Sequence, residues 1–386
     1  MGSETLRDRT AIVGMGATEF GKGAPESEAA LACRAVKAAL DDAGLTPDDV
    51  DGLSSYTYET TSEFELARNL GFGDLTWFDQ IGYGGGAGCA TVGHAAAAVT
   101  AGLASVVVAW RSRKRSARAS RLWAATPNAV EGYEQWGRPW GLGRPVDEAA
   151  MLGRRYLHQF GYDRDVFGEI AVAFREHANR NPAAVMHDKP LSIEQYFDAR
   201  WISEPLCLFD NCLETDGACA VVVVSAERAR DLRQRPVYVH AAAQGLPREM
   251  QPMSNFHNDD PLRGPSWPAA RRLWADAEFG PGDLDTAQIY DAFTPYVVLS
   301  LEGYGICERG EAGMFVRSGA LRVDGGKLPT NTSGGSLSEA YIHGFNLIIE
   351  GVRQLRGTSP AQVDEAETCL VTSGESVPSS AVLLRN

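Results

Sequence analysis

Short apolar runs alternate with amphipathic stretches along most of the chain. Residues 11–16 form an apolar run that ends in glycine, which predicts a buried strand. Residues 26–43 follow with apolar side chains on one helical face, and Gly44 marks the end of that helix. Apolar runs at 106–110 and 216–224 predict further buried strands. This alternation of strand and helix predicts an α/β fold.

The second half of the chain repeats the pattern of the first. Residues 281–287 (PGDLDTA) match residues 47–53 (PDDVDGL) in the proline, in two aspartates and in the apolar residue between them. A glycine-led helix predicted at 334–355 takes the place of the one predicted at 84–102. Two copies of one βαβ-type unit predict a duplicated domain, in which both glycine-led helices meet near one centre.

The character of the chain changes between residues 111 and 205. This segment is rich in basic residues and tryptophans, which predicts an inserted loop domain over the sheet. Trp136 and Trp140 could line an apolar pocket or form the core of the insertion. The predicted domains are the first half at 1–110 and 206–235, the insertion at 111–205 and the second half at 236–386.

Composition narrows the range of functions. The formal charge of −14 argues against nucleic-acid binding, which needs a basic face. No apolar run approaches the roughly 20 residues of a membrane span, and the first ten residues lack the apolar core of a signal peptide. We therefore expect a cytoplasmic protein. The seven cysteines are scattered without a CxxC pair, so neither a disulfide framework nor a metal site is expected.

The most distinctive motif is NTSGGSLSEAYIHG at residues 331–344. A glycine-rich turn that opens a helix directs backbone N–H groups and the positive helix end to one place, where negative charge is stabilised. We expect this helix to present Tyr341 and His343, both of which can transfer protons. The motif is weak by itself, because a bare turn before a helix is at least as common.

Three further motifs occur with it: DGA at 216–218, YDAF at 290–293 and TSG at 372–374. The combination resembles the thiolase superfamily, and within it the sterol-carrier-protein-x or lipid-transfer-protein type, over essentially the whole chain. The resemblance implies the thiolase fold, with duplicated βαβαβ halves in a layered α/β/α/β/α arrangement. It also implies a homodimer formed through the core sheet.

The residues of a working thiolase are missing, although acyl transfer through a thioester needs an activated thiol. The family spacing, counted back from the end of the first glycine-led helix, puts the nucleophile at Gly85. Cys89 would then lie one turn into that helix, where a free cysteine is usually packed. The Cys-x-Gly position holds Thr372–Gly374, the histidine of Gly-His-Pro falls on Tyr341, and the residue before Asp-x-Phe is Tyr290.

This pattern resembles the thiolase-like steroid side-chain aldolases. It implies retro-aldol cleavage of a β-hydroxy acyl-CoA, in which a 17-hydroxy steroid C20-carboxyl-CoA gives a 17-keto steroid and propionyl-CoA. The CoA thioester would be the substrate, with no further cofactor. Enzymes of that type work with a small partner carrying a zinc ribbon and an OB fold, and the resemblance implies such a partner here.

The resemblance makes Tyr290 and Tyr341 the catalytic acid and base, in either order. The N–H group of Gly374 and the glycine-led helix start at Gly85 would stabilise the thioester enolate. A tyrosine has an ordinary pKa of about 10, so a tyrosine base would need hydrogen bonds or positive charge that lower this pKa.

Several other residues have two interpretations. Asp291 and His343 are expected to support the site rather than react. Tyr296 lies close enough to Tyr290 along the chain to replace it, and His94 fits either packing or a dimer interface. A basic cluster could bind CoA phosphates, since planar guanidinium groups suit phosphate; it could equally be a solvated face or a contact for an acidic partner. Its members are Arg111, Arg113, Lys114, Arg115, Arg118 and Arg121.

Two other functions stay open. A thiolase fold without its catalytic cysteines could be a non-catalytic subunit that binds acyl-CoA or lipid. Alternatively, a residual thiolase or acyltransferase could use Cys89, in which case replacing Cys89 would abolish activity.

Overall fold

The computed structural model describes residues 6–115, 130, 132, 134–251, 253 and 255–386. Arg118 and Arg121 of the basic cluster lie outside these residues. In the described residues the strands are β1 Thr10–Ala17, β2 Gly52–Tyr56, β3 Trp77–Ile81, β4 Val106–Lys114, β5 Trp201–Ser203, β6 Leu206–Cys207, β7 Asp216–Ser225, β8 Val237–Gly245, β9 Thr286–Gln288, β10 Thr368–Ser373 and β11 Ser379–Arg385. The helices are α1 Glu28–Ala43, α2 Glu63–Leu70, α3 Gly88–Thr100, α4 Glu134–Gly137, α5 Pro145–Phe160, α6 Asp165–Arg180, α7 Ile193–Phe197, α8 Ala226–Ala229, α9 Ser266–Asp276, α10 Thr294–Gly303, α11 Ala312–Arg317, α12 Gly335–Ser338 and α13 Phe345–Arg356.

Nine strands form one sheet in the order β3-β2-β4-β7-β1-β8-β11-β10-β9. The two halves join where β1 pairs with β8 in antiparallel fashion, with Ala11 opposite Tyr238. Read outward from this seam, each half has two antiparallel pairings followed by a parallel one. The predicted duplication is therefore present in the topology of the sheet.

The helices form layers on either side of these strands. α1 packs on β1, β4 and β7 of the first half, and α9 packs on β8 and β11 of the second half. α3 and α13 contact strands of both halves and form the central layer. α3 can take this position because it consists mainly of alanine and glycine, and a helix that is apolar all round is suited to burial.

Matching aspartates hold the two halves in the same way. Asp51, just before β2, accepts hydrogen bonds from the N–H groups of Ser105 (2.8 Å) and Val106 (2.8 Å). Asp285, just before β9, accepts the same kind of pair from Thr368 and the residue before it, each at 2.9 Å. Each carboxylate thus ties the starts of two parallel strands together, which explains the repeated aspartate in the sequence.

Two predicted elements differ from the structure. β4 continues to Lys114 rather than ending at residue 110, because its pairing with β7 is unbroken from Val106 onward. The single helix predicted at 334–355 was wrong: α12 has only four residues, and α13 begins at Phe345. His343 (φ 51°) and Gly344 (φ 80°) adopt the left-handed conformation, which interrupts the helix. Tyr341 and His343 therefore lie in the loop between α12 and α13.

The insertion packs on the second half. Its α5 and α6 contact α10, and α6 also contacts α11 and α12. None of the helices in the described part of the chain is long and apolar enough to cross a membrane.

Candidate active site

A cavity of about 1410 Å³ is lined by both halves and the insertion. The first half contributes Gly85, the second half contributes Tyr290 and Tyr341, and the insertion contributes Trp136 and Glu148. Its volume exceeds the range of roughly 300–1,000 Å³ typical of small-molecule pockets. The cavity can therefore hold a large ligand.

The two predicted tyrosines meet at this cavity. The hydroxyl oxygens of Tyr290 and Tyr341 are 2.6 Å apart, which is a hydrogen bond between buried phenols. Tyr290 follows β9, and its N–H group donates to the Thr372 hydroxyl (2.9 Å). The N–H group of Tyr341 donates to the hydroxyl of Thr215 (2.8 Å), just before β7. Backbone contacts to neighbouring strands thus fix both phenols.

The ring of Tyr290 lies between two glycines, one from each half. A Cβ atom added at Gly85 would lie 1.9 Å from the Tyr290 hydroxyl oxygen, and one added at Gly344 would lie 2.9 Å from a ring carbon. Both distances are far shorter than real carbon contacts, so any side chain there would displace the tyrosine. The phenol thus occupies the space beside the residue that the family spacing assigns to the nucleophile.

Burial raises the pKa of both phenols. The pKa of Tyr290 lies well above 10, and the pKa of Tyr341 rises to about 12. Three effects oppose this rise at Tyr341: the Arg115 guanidinium, which is 4.6 Å from the centre of the ring, the hydrogen bond with Tyr290, and the charge of Arg113. Both tyrosines are therefore neutral near pH 7. The lowered pKa that an ionised tyrosine base requires is absent at both.

Beside Tyr341, His343 lies between two guanidinium groups. Its Nδ1 is 2.9 Å from Arg111 and its Nε2 is 2.5 Å from Arg115. Burial and the neighbouring arginines lower the pKa of His343 well below 6.5, so the imidazole is neutral. Arg111 is also paired with the buried carboxylate of Glu59 (3.2 Å). His343 therefore supports the arginine that packs on Tyr341, consistent with a supporting role.

The other members of the basic cluster turn away from the cavity. Arg111 is buried on Glu59, Arg113 is buried near Glu28, and the Lys114 ammonium donates to the Glu26 carbonyl. Of the cluster members that the structure describes, only Arg115 lines the cavity. This placement does not support CoA binding by Arg111, Arg113 or Lys114. Other cations line the cavity instead: Lys22, Arg138, Arg144, Arg175, Lys189 and Arg200.

The glycine-rich turn before α12 binds a carboxylate of the protein itself, that of Asp291. The Asp291 carboxylate accepts hydrogen bonds from the N–H groups of Ser336 (2.8 Å) and Leu337 (3.1 Å). A Cβ atom on Gly335 would lie 2.3 Å from this carboxylate, so glycine is needed there. The turn thus stabilises negative charge, but the charge at Ser336 and Leu337 is that of Asp291.

Gly374 packs on the turn of the first half. A Cβ atom there would lie 2.8 Å from the Cα atom of Gly86, and its positive φ of 77° also favours glycine. Gly85 and the residue that follows Gly374, Glu375, both line the cavity. The two loops assigned to enolate stabilisation therefore meet at one edge of the site.

Cys89 lies in the first turn of α3 and is fully buried. The Ser373 hydroxyl donates to its sulfur (3.2 Å), and burial raises the pKa of the thiol to about 12. Reactive cysteines need a lowered pKa and access to the substrate. Cys89 has neither, since it is not among the residues that line the cavity.

The structure also gives the positions of the residues for which the sequence allowed two interpretations: Tyr296, His94, Trp136 and Trp140. The hydroxyl of Tyr296 is hydrogen-bonded to Ser376 rather than to the tyrosine pair. His94 contacts Asp79 (2.6 Å) and remains partly exposed. Trp136 lines the cavity, whereas Trp140 does not.

Sequence reasoning missed two acidic residues of the cavity whose pKa values are raised, Glu148 and Glu375. Burial raises the pKa of Glu148 to about 7, with a further contribution from Asp147, and burial raises the pKa of Glu375 to about 8. The signal for Glu148 was its place just before two alanines on the apolar side of a helix. Within the described residues, no group of three or more His, Cys, Asp or Glu side chains is placed to hold a metal ion.

Comparison with known proteins gives one family. Residues 251–384 match the family model described as "Thiolase C-terminal domain-like". The chain is 48% identical to the 17-hydroxy-3-oxo-4-pregnene-20-carboxyl-CoA lyase of Mycobacterium tuberculosis, over 98% of this chain and 100% of that protein. It is 45% identical to the steroid side-chain-cleaving aldolase of Thermomonospora curvata, over 98% of both. A solved structure described as "Ltp2-ChsH2(DUF35) aldolase" matches with a TM-score of 0.94 and 44% identity, over 98% of both chains. The predicted thiolase fold is confirmed.

Proposed function

Because this chain belongs to the thiolase-like family of steroid side-chain-cleaving aldolases, we propose that it cleaves a β-hydroxy acyl-CoA by a retro-aldol reaction. The chain is a carbon–carbon lyase. The substrate is a 17-hydroxy steroid C20-carboxyl-CoA with a 3-oxo group, the compound that the name of the M. tuberculosis relative describes. The products are a 17-keto steroid and propionyl-CoA.

The observation that carries this proposal is the hydrogen-bonded pair of phenols, Tyr290 and Tyr341, at the cavity. A retro-aldol reaction moves one proton from the β-hydroxyl oxygen to the α-carbon while the bond between the two carbons breaks. It needs a proton acceptor and a proton donor, but no thiol nucleophile. The site offers two phenols. One cysteine, Cys212, lines the cavity, but burial raises the pKa of its thiol to about 12, so it is not an activated nucleophile.

The raised pKa values of the phenols favour a relay. One phenol accepts the hydroxyl proton of the substrate as it passes its own proton to the other phenol, and the second phenol protonates the α-carbon of the enolate. The proton count balances, and neither tyrosine has to ionise beforehand. The Arg115 guanidinium lies over the ring of Tyr341, 4.6 Å from its centre, and its positive charge favours loss of a proton from this phenol. We therefore assign the donation to the α-carbon to Tyr341 and the acceptance from the hydroxyl to Tyr290.

We assign stabilisation of the enolate oxygen to backbone N–H groups at Gly85 and Gly374. The support is that the two glycine loops pack against each other next to Tyr290. Asp291 and His343 hold this arrangement without contacting the reacting atoms. The cavity-facing cations Lys189 and Arg200 are better placed for CoA phosphates than Arg111, Arg113 and Lys114, which do not line the cavity.

We further propose a cytoplasmic homodimer that works with a small zinc-ribbon and OB-fold partner. The support for a partner is the description of the solved relative, which joins Ltp2 and ChsH2(DUF35). Gel filtration of the chain alone and with the partner measures both associations.

The test is release of propionyl-CoA by the purified chain with its partner. Tyr290→Phe and Tyr341→Phe should each lower kcat by about 100-fold or more, because general acid–base catalysis contributes at least that factor. Tyr304→Phe is the matched control: Tyr304 is buried and its hydroxyl is hydrogen-bonded to Ser379 (3.1 Å), but it does not line the cavity.

Full activity in both tyrosine variants would contradict the roles assigned to them. Binding of the acyl-CoA with no cleavage, even with the partner present, would instead indicate a non-catalytic binding subunit.

A further inference from the structure

The carboxyl group of Glu148 faces the cavity without a partner among the described residues. Glu148 lies on α5 of the insertion and lines the cavity. Its Oε2 atom is buried without a hydrogen-bond partner, and within the described residues no hydrogen bond or ion pair is made by either of its oxygens. Burying a polar group in this way is costly unless something else completes its hydrogen bonds. The missing partner is therefore to be sought in the ligand that fills the cavity.

The surroundings of Glu148 are mostly apolar. Val146, Leu142 and Trp136 line the same part of the insertion, and Oε1 lies 3.6 Å from the position of a Cβ atom on Gly137. Burial, and to a lesser degree the charge of Glu148, raise the pKa of Tyr296. This places Glu148 near Tyr296. Glu148 is not hydrogen-bonded to the tyrosine pair in the described structure. A carboxyl group without a partner, surrounded mostly by apolar side chains, suits a hydrocarbon ligand with one polar substituent.

We propose that Glu148 binds the ring ketone of the substrate and determines specificity for oxygenated steroid nuclei. This inference rests on the proposed function, because it presumes a steroid thioester in the cavity. On a steroid nucleus, the 3-oxo group lies at the end opposite the side chain that is cleaved. Glu148 belongs to the insertion, whereas both phenols belong to the second half, so Glu148 is suited to contact that end.

The protonation state of Glu148 fits a ketone. Burial and the neighbouring Asp147 raise the pKa of Glu148 to about 7, so a large fraction of the carboxyl groups is protonated at neutral pH. A protonated carboxyl group donates a hydrogen bond, and a ketone oxygen can only accept one. Asp147 itself is paired with Arg144 (2.7 Å) and does not compete for this role.

The test compares two substrates that differ only at ring position 3: one with the oxo group and one with no oxygen there. Wild-type protein should favour the 3-oxo compound by about tenfold in KM, the factor expected for one hydrogen bond. Glu148→Leu should remove this preference by raising KM for the 3-oxo compound alone, with kcat unchanged. Glu148→Gln should keep most of it, because the amide also donates a hydrogen bond.

The inference would be overturned if Glu148→Leu still preferred the 3-oxo substrate. It would also be overturned if KM rose equally for both substrates, because that result indicates a merely structural role. Equilibrium binding of the same two compounds without the 17-hydroxyl group, followed by tryptophan fluorescence, separates this inference from the proposed function. These analogues cannot be cleaved, so their relative affinities decide the role of Glu148 even where wild-type protein releases no propionyl-CoA.

Discussion

The glycine turns at 84–86 and 334–335 occupy matching places in the two halves of the molecule, but they lead to different structures. In the first half, the turn continues directly into α3, which is uninterrupted for 13 residues. In the second half, a helix of four residues is followed by the loop that carries Tyr341, and only then by α13. The frame around both turns is the same, since Asp51 and Asp285 make equivalent hydrogen bonds.

This difference shows where the chemistry of a duplicated fold can reside. The first half contributes space: Gly85 has no side chain, and the phenol of Tyr290 fills the room beside it. The second half contributes both phenols: Tyr290 follows β9, and Tyr341 lies where the helix departs from the repeat. The matching hydrogen bonds of Asp51 and Asp285 give each half the same frame, while the site depends on the break in symmetry.

Gly85→Ala should give the largest effect, because it fills the space that the first half leaves empty. The new Cβ atom would lie 1.9 Å from the Tyr290 hydroxyl oxygen and would displace the phenol from Tyr341. Loss of the pair should lower kcat by about 100-fold or more, measured as propionyl-CoA release.

Gly82→Ala is the control for this change, because a Cβ atom there meets nothing within 4 Å and its φ is ordinary. Gly82→Ala should retain full activity. An active Gly85→Ala variant would show that contact between the two phenols is not required.

Different side chains hold the two glycine turns in place. The first turn is held by the Ser380 hydroxyl, which donates to the Gly86 carbonyl (2.6 Å). The second is held by His177, whose Nδ1 is 3.2 Å from the Asn331 carbonyl oxygen while Nε2 accepts from the Val323 N–H group (3.2 Å). Burial lowers the pKa of His177 to about 4. Only the second turn thus depends on a neutral histidine.

Because the folded pKa of His177 lies below its ordinary 6.5, its contribution to stability is present above pH 6.5 and is lost as the pH falls toward 4. The loss should reach about 3 kcal/mol. His177→Gln removes the titration but keeps a donor and an acceptor. Urea unfolding of both proteins at several pH values should give a smaller decrease between pH 6.5 and 4 for the variant. Parallel curves would contradict the assignment.

Cys89→Ser should give the smallest effect. The serine hydroxyl finds the same neighbours, the Ser373 hydroxyl and the Val371 carbonyl, so the free energy of unfolding should fall by only about 1 kcal/mol. Release of propionyl-CoA should not change, because the thiol does not line the cavity. If the variant lost activity while its stability was unchanged, the result would support the alternative function, a thiolase or acyltransferase that uses Cys89.

Sequence patterns predicted the elements whose signal is local. The strand at 11–16, the helix at 26–43 and the strand at 216–224 match β1, α1 and β7 closely, because apolar periodicity and glycine stops set them. The strand β11 at the end of the chain and the helix α5 were missed. The helix predicted through Tyr341 was wrong, since the sequence did not reveal that His343 and Gly344 are left-handed.

The candidate site also has some features that the sequence predicted and others that it did not. The resemblance to thiolase motifs singled out Tyr290 and Tyr341, which the structure brings together although they are 51 residues apart. The use of the glycine-turn N–H groups by Asp291 depends on tertiary contacts, and so does the absence of a partner for Glu148. No local pattern carries that information.

The contact between Gly85 and Tyr290 has an evolutionary consequence. A cysteine at position 85 and a tyrosine at position 290 exclude each other sterically, because a Cβ atom at the first site overlaps the hydroxyl of the second. A single substitution toward a thiol nucleophile would therefore abolish the present activity without creating a working alternative. Evolution of a thiol nucleophile at position 85 would therefore require at least two coupled changes, one at position 85 and one at position 290.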